Sequence, residues 1–247
     1  MRWAAHRRDW EDLSYLDPYW AILSDPSKQH GGWDAGDVLA TGRVEIERLM
    51  TKLAALGRPL EHGRALDFGC GAGRLTRGLG ARFDSAVGVD MSEQMIVTAR
   101  ELNADVPNVA FEVNAGSDLA ALESASFDLA YTQLVLQHLP SQAAILGYAG
   151  ELVRVLRPGG IAVLQVPSHI PAVRRLQPRP RAYGVLRRLG VPRETLYRRL
   201  RLQPIRMRAV ALPVMREHLE RCGADVVACE TEPVAGGLRS TTYYAAR

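Results

Sequence analysis

The sequence has few cysteines and no long apolar run, and each shortage excludes a class of protein. Three cysteines in 247 residues, Cys70, Cys222 and Cys229, form neither a disulfide framework nor a paired metal-ligand spacing. Apolar runs such as 161–166 are far shorter than the roughly 18 residues that a membrane helix needs. The charged N-terminus does not resemble a secretory signal. The sequence therefore predicts a cytoplasmic protein with no membrane segment, no membrane contact and no metal site.

Acidic residues are almost absent from one segment of the chain. Residues 168–208 contain twelve arginines and one acid, Glu194, so this segment carries +11 and the rest of the chain −7. Guanidinium groups bind carboxylates and phosphates. The segment could thus be a lid over an anionic small molecule, a docking surface for RNA, or a solvated helical face. Only Tyr183 and Tyr197 interleave the arginines, which favours the lid over RNA.

Short apolar runs typical of strands alternate with helical patterns from residue 64 onward. The predicted strands cover 65–68, 85–89, 109–113, 127–132 and 160–166, and a helix at 213–222 precedes a hairpin of strands 225–232 and 241–246. Such alternation predicts a parallel sheet with helices on both faces. The hairpin predicts an antiparallel last strand. We expect an α/β fold with a Rossmann-like, doubly wound sheet of seven strands.

Glycine recurs at alternate positions directly after the first predicted strand. Asp67 ends the strand, and Gly69, Gly71 and Gly73 follow before a predicted helix. A dinucleotide fingerprint would place a third glycine or alanine three residues after the second, and the sequence has none there. No Gly-Lys-Ser/Thr follows, so the segment is not a Walker loop.

This glycine run resembles the first motif of the class I S-adenosylmethionine-dependent methyltransferases. Segments 87–92, 126–132, 134–140 and 156–160 resemble further family motifs, in the correct order. The resemblance implies S-adenosylmethionine as cofactor and S-adenosylhomocysteine as its product. It divides the chain into an N-terminal helical cover (1–60) and a cofactor-binding methyltransferase domain (61–247). The Arg-rich insertion (168–208) follows the fifth strand.

The resemblance also implies the cofactor-binding residues. Asp90 would bind both ribose hydroxyls, Met91 would pack on the adenine, and Asp67 would meet the ammonium group directly or through water. The other predicted contacts are Gly69, Cys70, Gly71, Gly73 and Gln133. Glycines at such a turn can also be purely structural, but their combination with Asp90 and the later motifs favours a cofactor site.

The contact to the adenine amine is less well defined by the sequence. The family commonly has an acid straight after the third strand, whereas this chain has Ala115 and Gly116 there. Asp118 is then the candidate for binding the adenine amine, and Asn114 is the alternative. Leu119, at the end of the same stretch, is a further predicted cofactor contact.

A histidine follows the fourth strand, at the sheet edge where such clefts lie. We predict that His138 is a general base, because an imidazole titrates near neutrality and a hydroxyl acceptor must lose a proton. The competing interpretation is that His138 only caps or packs at the start of the next helix. Gln137, beside it, is a predicted substrate contact.

Aromatic residues near the N-terminus predict a second cover over the site. Tyr19, Trp20 and Trp33, with Arg43, could exclude water from a sulfonium donor, which aromatic faces attract. Ordinary helix packing is the competing interpretation. Tyr183 of the insertion is a further predicted substrate or lid contact.

The resulting prediction is methyl transfer to a small-molecule acceptor, with O-methylation of a sugar or secondary metabolite favoured. Two alternatives stay open: an RNA methyltransferase that docks through the insertion, and a non-catalytic cofactor-binding scaffold. The sequence leaves the oligomeric state undefined.

Overall fold

Strands and helices alternate along the chain, and several helices begin at a side-chain cap. The computed structural model describes residues 3–58 and 60–247. Its strands are β1 Arg64–Phe68, β2 Ser85–Asp90, β3 Val109–Val113, β4 Phe127–Thr132, β5 Leu156–His169, β6 Asp225–Val234 and β7 Leu238–Ala246. Its α-helices are α1 Trp3–Leu16, α2 Pro18–Ile22, α3 Ala35–Ala55, α4 Arg74–Gly80, α5 Glu93–Leu102, α6 Gln142–Arg154, α7 Ala172–Arg175, α8 Pro178–Arg188 and α9 Leu212–Arg221. Ser92 caps α5, since its Oγ accepts a hydrogen bond from the Met95 amide at 3.1 Å.

The strands form one sheet in the order β3-β2-β1-β4-β5-β7-β6. β1 to β5 run parallel, whereas β7 lies antiparallel between β5 and β6. The predicted seven-stranded, Rossmann-like sheet with an antiparallel last strand is therefore confirmed. All six residues of β4 are buried, as expected for a central strand covered on both faces.

Apolar side chains cover each face of the sheet. On one face α3 and α4 contribute Ile46, Leu49 and Leu79 to a buried cluster. On the other face α6 and α9 contribute residues such as Leu152 and Leu219. α3 packs against α4 through its apolar face.

Some element ends differ from those expected. β5 begins at Leu156, because the turn around Gly159 lies inside the strand and the Gly159 amide donates to the Arg247 carbonyl at 2.7 Å. β5 also continues to His169 by pairing with β7. α4 ends at Gly80.

The Arg-rich insertion folds as α7, α8 and a single π-helical turn, Thr195–Arg199. It is joined to α1 by ion pairs, because Asp12 binds Arg187 Nε at 2.9 Å and Arg193 Nη1 at 3.1 Å. Tyr197 donates a hydrogen bond to Asp17 at 2.9 Å. Within residues 3–58 and 60–247, no helix combines the length and the apolar character needed to cross a bilayer.

Candidate active site

A cleft opens at the carboxyl ends of β1, β2 and β4, where the strand order reverses. In doubly wound sheets this is where ligands bind. The empty space in the cleft, including its open mouth, is about 740 Å³. Its walls include Phe68, Gly69, Gly71, Asp90, Met91, Asn114, Gln133, Val135, His138 and Tyr148 from the sheet side, and His6, Trp10 and Ile22 from the N-terminal helices.

The turn between β1 and α4 can be built only with glycine. Gly69 and Gly71 have φ angles of +78° and +53°, in the left-handed region that side chains disfavour. A Cβ on Gly69 would lie 2.3 Å from Val135, and one on Gly71 would lie 2.8 Å from Ile22. The glycines therefore bring the main chain to the wall of the cleft.

The carboxylate of Asp90 is fixed at the end of β2. Its Oδ2 accepts from the Gly71 amide and its Oδ1 from the Ser92 amide, both at 2.9 Å. Burial raises the pKa of Asp90, and these amide bonds act in the opposite direction. Each carboxylate oxygen keeps a further lone pair. Asp90 thus fits the predicted role of accepting two ribose hydroxyls.

Asp67 is buried and does not line the cleft. Its Oδ2 accepts a hydrogen bond from Thr76 Oγ1 at 2.6 Å. Its Oδ1 is buried without a hydrogen-bond partner among the described residues. Burial raises the pKa of Asp67 to about 6. The unpartnered oxygen is compatible with the predicted link to an ammonium group through water.

Two of the three residues proposed around the adenine amine lie away from the cleft. Asn114 lines it, and its Nδ2 donates to Tyr148 Oη at 3.1 Å. Asp118 is exposed, and its Oδ1 accepts from the Ala120 amide at 3.2 Å. Leu119 is buried in the core. The geometry thus favours Asn114, the rival, over Asp118.

The remaining cofactor candidates are divided between the cleft and the core. Met91 and Gln133 line the cleft, and Gln133 Nε2 donates to Glu45 Oε1 at 2.8 Å. Gly73 is the N-cap residue of α4. The Cys70 side chain packs in a buried apolar cluster, so only its main chain belongs to the glycine turn.

His138 lies on the cleft wall in a defined tautomer. Its Nδ1 is 2.7 Å from the Arg206 carbonyl, which can only accept, so Nδ1 carries the proton. Nε2 is then the basic atom, and it lies 3.1 Å from the amide nitrogen of Gln137. Burial lowers the pKa of His138 to about 4, against a smaller raising effect of the Arg206 bond. The imidazole is therefore neutral at physiological pH.

Gln137 itself is buried and not part of the wall. Its carbonyl accepts from the Arg208 amide at 2.7 Å. The Gln137 side chain forms a hydrogen bond with His138, which lines the cleft. The structure therefore does not place Gln137 in the cleft wall, where it was predicted to contact the substrate.

The side chains predicted to form an aromatic cover do not line the cleft. Trp20 is buried, and its Nε1 donates to the Asp25 carbonyl at 2.8 Å. Trp33 lines a separate open groove beside α3, Tyr19 is half-buried, and Arg43 is exposed. Tyr183 is buried, and this burial raises the pKa of its hydroxyl, with a further contribution from the nearby Asp12 carboxylate. For these aromatics, packing between helices is the observed arrangement.

The cover is formed instead by α1 and α2, through residues that sequence reasoning missed. His6 and Trp10 of α1 and Ile22 of α2 line the cleft. The Trp10 ring meets the His138 ring edge-on at 5.2 Å. Trp3, His6 and Trp10 recur at helical spacing on one face, which is the signal that could have identified them.

A small nook of about 290 Å³ adjoins the cleft behind His6 and Trp10. Arg206 and Arg208 line it. Burial lowers the pKa of His6 to about 4, and the charges of His138 and these two arginines add to the effect. In the described part of the chain, no group of three His, Cys, Asp or Glu residues could hold a metal ion.

One protein-family model matches part of the chain. Residues 66–164 match the methyltransferase domain family. Over 133 residues the chain is 39% identical to a trans-aconitate 2-methyltransferase of Methylobacterium radiotolerans, covering 52% of this chain and 48% of that protein. Over 146 residues it is 30% identical to a ubiquinone biosynthesis O-methyltransferase of Xanthomonas euvesicatoria, covering 57% of each.

The fold has a solved counterpart along almost its whole length. The crystal structure of magnesium protoporphyrin IX methyltransferase from Synechocystis, with bound S-adenosylhomocysteine, superposes with a TM-score of 0.60. The alignment covers 98% of this chain and 99% of that one, at 19% identity, which supports a common fold. The chain spans about half the length of the curated relatives that it matches.

Proposed function

Since the chain carries a class I S-adenosylmethionine-dependent methyltransferase domain, with S-adenosylmethionine as its cofactor, we propose that it methylates a hydroxyl group of a small-molecule acceptor. The observation that carries the proposal is the state of His138. This residue presents a neutral imidazole with Nδ1 protonated, on the same cleft wall as Asp90 and the glycine turn.

The residues of the cleft fit the cofactor. Asp90 would hold the ribose, the Gly69–Gly71 turn would lie against the nucleoside, and Asn114 would meet the adenine. The bound cofactor supplies an activated methyl group on a sulfonium. The chain has then to align the acceptor, exclude water and remove one proton.

His138 Nε2 is suited to that proton transfer despite its low pKa. An alcohol oxygen that receives a methyl group becomes a very strong acid, so a weak neutral base is sufficient to take its proton. The buried imidazole is unprotonated at any pH well above about 4. The hydrogen bond from Nδ1 to the Arg206 carbonyl fixes the ring and stabilises the imidazolium that forms. The acceptor hydroxyl would displace the Gln137 amide from Nε2.

The cleft walls favour an acceptor with an apolar or planar body. Trp10, Leu139 and Tyr148 line it, and the apolar residues of the lining outnumber the polar side chains that we assign to the cofactor and to proton transfer. A free sugar needs many hydrogen-bond partners when it is buried. We therefore favour a hydroxylated secondary metabolite over an unsubstituted sugar. The relatives named for trans-aconitate and for ubiquinone biosynthesis widen the candidates to organic acids and quinone precursors.

The first test is calorimetric titration with S-adenosylmethionine and S-adenosylhomocysteine, beside an Asp90→Ala variant. Binding that the variant loses would support the cofactor site, and a screen of phenols, hydroxy acids and glycosides for S-adenosylhomocysteine release would follow. Cofactor binding with no turnover of any hydroxylated acceptor would favour the non-catalytic scaffold. Absence of cofactor binding by folded protein would contradict the proposal.

The RNA alternative has less support. Single-stranded nucleic acid is bound largely by stacking on aromatic side chains. Both tyrosines of the insertion, Tyr183 and Tyr197, are buried. Among the described residues, the insertion therefore offers RNA its charge but no exposed aromatic platform.

A further inference from the structure

Exposed apolar side chains are concentrated in the Arg-rich insertion. Twelve large apolar residues of the described chain are exposed, and five of them lie between positions 173 and 200. They are Val173, Leu176, Val185, Leu189 and Leu200, with exposures between 51% and 79%. Isolated exposed aliphatic residues are ordinary, so the informative feature is that these five share one segment with many arginines.

The exposed arginines of the insertion lie among these aliphatic residues. Eight of them are exposed, at positions 174, 175, 179, 181, 188, 198, 199 and 201. None of the eight forms an ion pair within the described part of the chain. The acidic residues near the insertion form ion pairs with other arginines. Asp12 binds Arg187 and Arg193, and Glu194 binds Arg193. We call the five aliphatic residues and these eight arginines the insertion surface.

The solvent-facing side of α8 has an unusual composition. Arg181, Val185, Arg188 and Leu189 recur at helical spacing and are all exposed, whereas Tyr183 faces inward. A helix packed on a protein core normally turns a fully polar side to water. Here the outer side alternates aliphatic side chains with arginines, whose long stems can extend along apolar surroundings while the charge reaches a polar boundary.

We propose that the insertion surface binds the face of an anionic lipid bilayer, without crossing it. The aliphatic side chains would enter the boundary between headgroups and acyl chains, and the arginines would contact the lipid phosphates. The segment carries +11 in a chain of net charge +4, so the protein would be oriented with this side toward the membrane. This revises the expectation of no membrane contact, and it does not depend on the proposed methyl transfer.

Two other occupants fit the surface less well. RNA would be attracted by the arginines but gains nothing from exposed aliphatic residues, and the tyrosines are buried. A second copy of the chain would bring the same eight arginines face to face, because a two-fold interface apposes identical patches. An anionic bilayer satisfies the charge and the apolar residues together.

The test is sedimentation of the full chain with vesicles, without cofactor or acceptor. Phosphatidylcholine vesicles that contain phosphatidylglycerol should bind the protein at least about tenfold more tightly than phosphatidylcholine alone, with a loss of binding as salt screens the charges. Leu176→Ser with Leu189→Ser should weaken binding roughly tenfold, as should Arg181→Gln with Arg188→Gln. Circular dichroism should report folded protein for each.

Matched controls test whether vesicle binding depends on the insertion surface or on exposed apolar and charged residues anywhere on the protein. Val97→Ser with Val214→Ser removes two exposed aliphatic residues elsewhere, and Arg43→Gln with Arg82→Gln removes two exposed charges elsewhere. Both controls should bind vesicles like the parent chain. Failure to bind anionic vesicles at low salt would overturn the proposal, as would equal losses in the controls. Tight RNA binding without vesicle binding, or dimerisation that the Leu176 and Leu189 changes abolish, would also overturn it.

Discussion

In the proposed mechanism each ring nitrogen of His138 has its own role, and substitutions can separate the two roles. Nδ1 holds the ring to the Arg206 carbonyl, and Nε2 is the candidate base. His138→Asn keeps a donor close to the position of Nδ1 but has no base, whereas His138→Ala loses both. We expect both variants to lower kcat by roughly 10²–10³-fold, in line with the loss of a general base, with an unchanged Kd for S-adenosylmethionine.

The comparison of the two variants decides between catalysis and packing. If His138 only supports the fold, His138→Asn should restore turnover to near the parent value, because it retains the structural hydrogen bond. His62→Asn is the control, since His62 makes the same ring-to-carbonyl contact, with Arg82 at 2.9 Å, in an exposed position. Single-turnover assays with calorimetry on the same samples provide both constants.

Residues of the glycine turn could be predicted individually, because their positions follow from a local strand–turn–helix pattern. Asp90 could be placed in the same way, at the end of the next strand. The aromatics Trp20 and Trp33 could not, because local sequence does not distinguish a side chain that packs between helices from one that lines a cleft. That difference depends on how α1 and α2 lie over the sheet.

At the scale of elements, the turn between β1 and α4 combines backbone strain with a close contact. Gly69→Ala places a Cβ at a left-handed residue and 2.3 Å from Val135. Gly159→Ala is the matched control, because Gly159 has φ +86° and no atom within 4 Å of the added Cβ. Strain alone costs about 1–2 kcal/mol. We expect Gly159→Ala to show only that loss, and Gly69→Ala to lose more stability and also its cofactor affinity.

Chemical denaturation and calorimetry check this pair. Equal stability losses and retained cofactor binding in both variants would mean that the β1–α4 turn can relax away from Val135, and that the close approach is not needed for the site.

The contact between α1 and the insertion is a second element-scale feature. Asp12 is buried and binds two arginines, Arg187 and Arg193, on either side of it. Asp12→Asn leaves Arg187 without a carboxylate partner and Arg193 with Glu194 alone, so we expect a loss of about 1–3 kcal/mol in the free energy of unfolding. Asp105→Asn breaks the exposed pair with Arg77, and should cost clearly less because solvent screens it.

Urea unfolding of the two asparagine variants beside the parent chain measures the difference. The same Asp12 variant should alter the cleft, because α1 carries His6 and Trp10. A similar loss in both variants would contradict the assignment of Asp12 as the link between α1 and the insertion.

Element ends were the part of the fold that the sequence defined least. The sheet order follows from strand–helix alternation and the closing hairpin, and these are properties of long segments. The extension of β5 to His169 depends on pairing with β7, some 70 residues later in the chain. Helical spacing marks Trp3, His6 and Trp10 as one face of α1, but the burial of Asp12 depends on its pairing with Arg187, 175 residues later in the chain.

At the scale of the whole molecule, buried histidines and buried aspartates should have opposite effects on how stability depends on pH, and these effects should partly cancel. Burial lowers the pKa of His6 and His138 to about 4, from 6.5. Each histidine therefore lowers the free energy of unfolding as pH falls from 6.5 toward 4, because only the unfolded chain takes up its proton. Burial raises the pKa of Asp9 and Asp67 to about 6, from 3.8. Each of these two aspartates therefore raises the free energy of unfolding as pH falls through about the same range, because only the folded chain takes up its proton.

Substituting one buried histidine or one buried aspartate should expose the effect of the opposite type of group on the pH dependence of stability. Each fully shifted group contributes up to about 1.4 kcal/mol per pH unit. Between pH 7 and 5, His6→Gln should therefore gain stability on acidification relative to the parent chain, and Asp9→Asn should lose it. Urea unfolding across that range, with His62→Gln as the exposed control, measures the slopes. Parallel curves for all four proteins would mean that His6 and Asp9 titrate alike in the folded and unfolded chains, and that neither is buried as the fold places it.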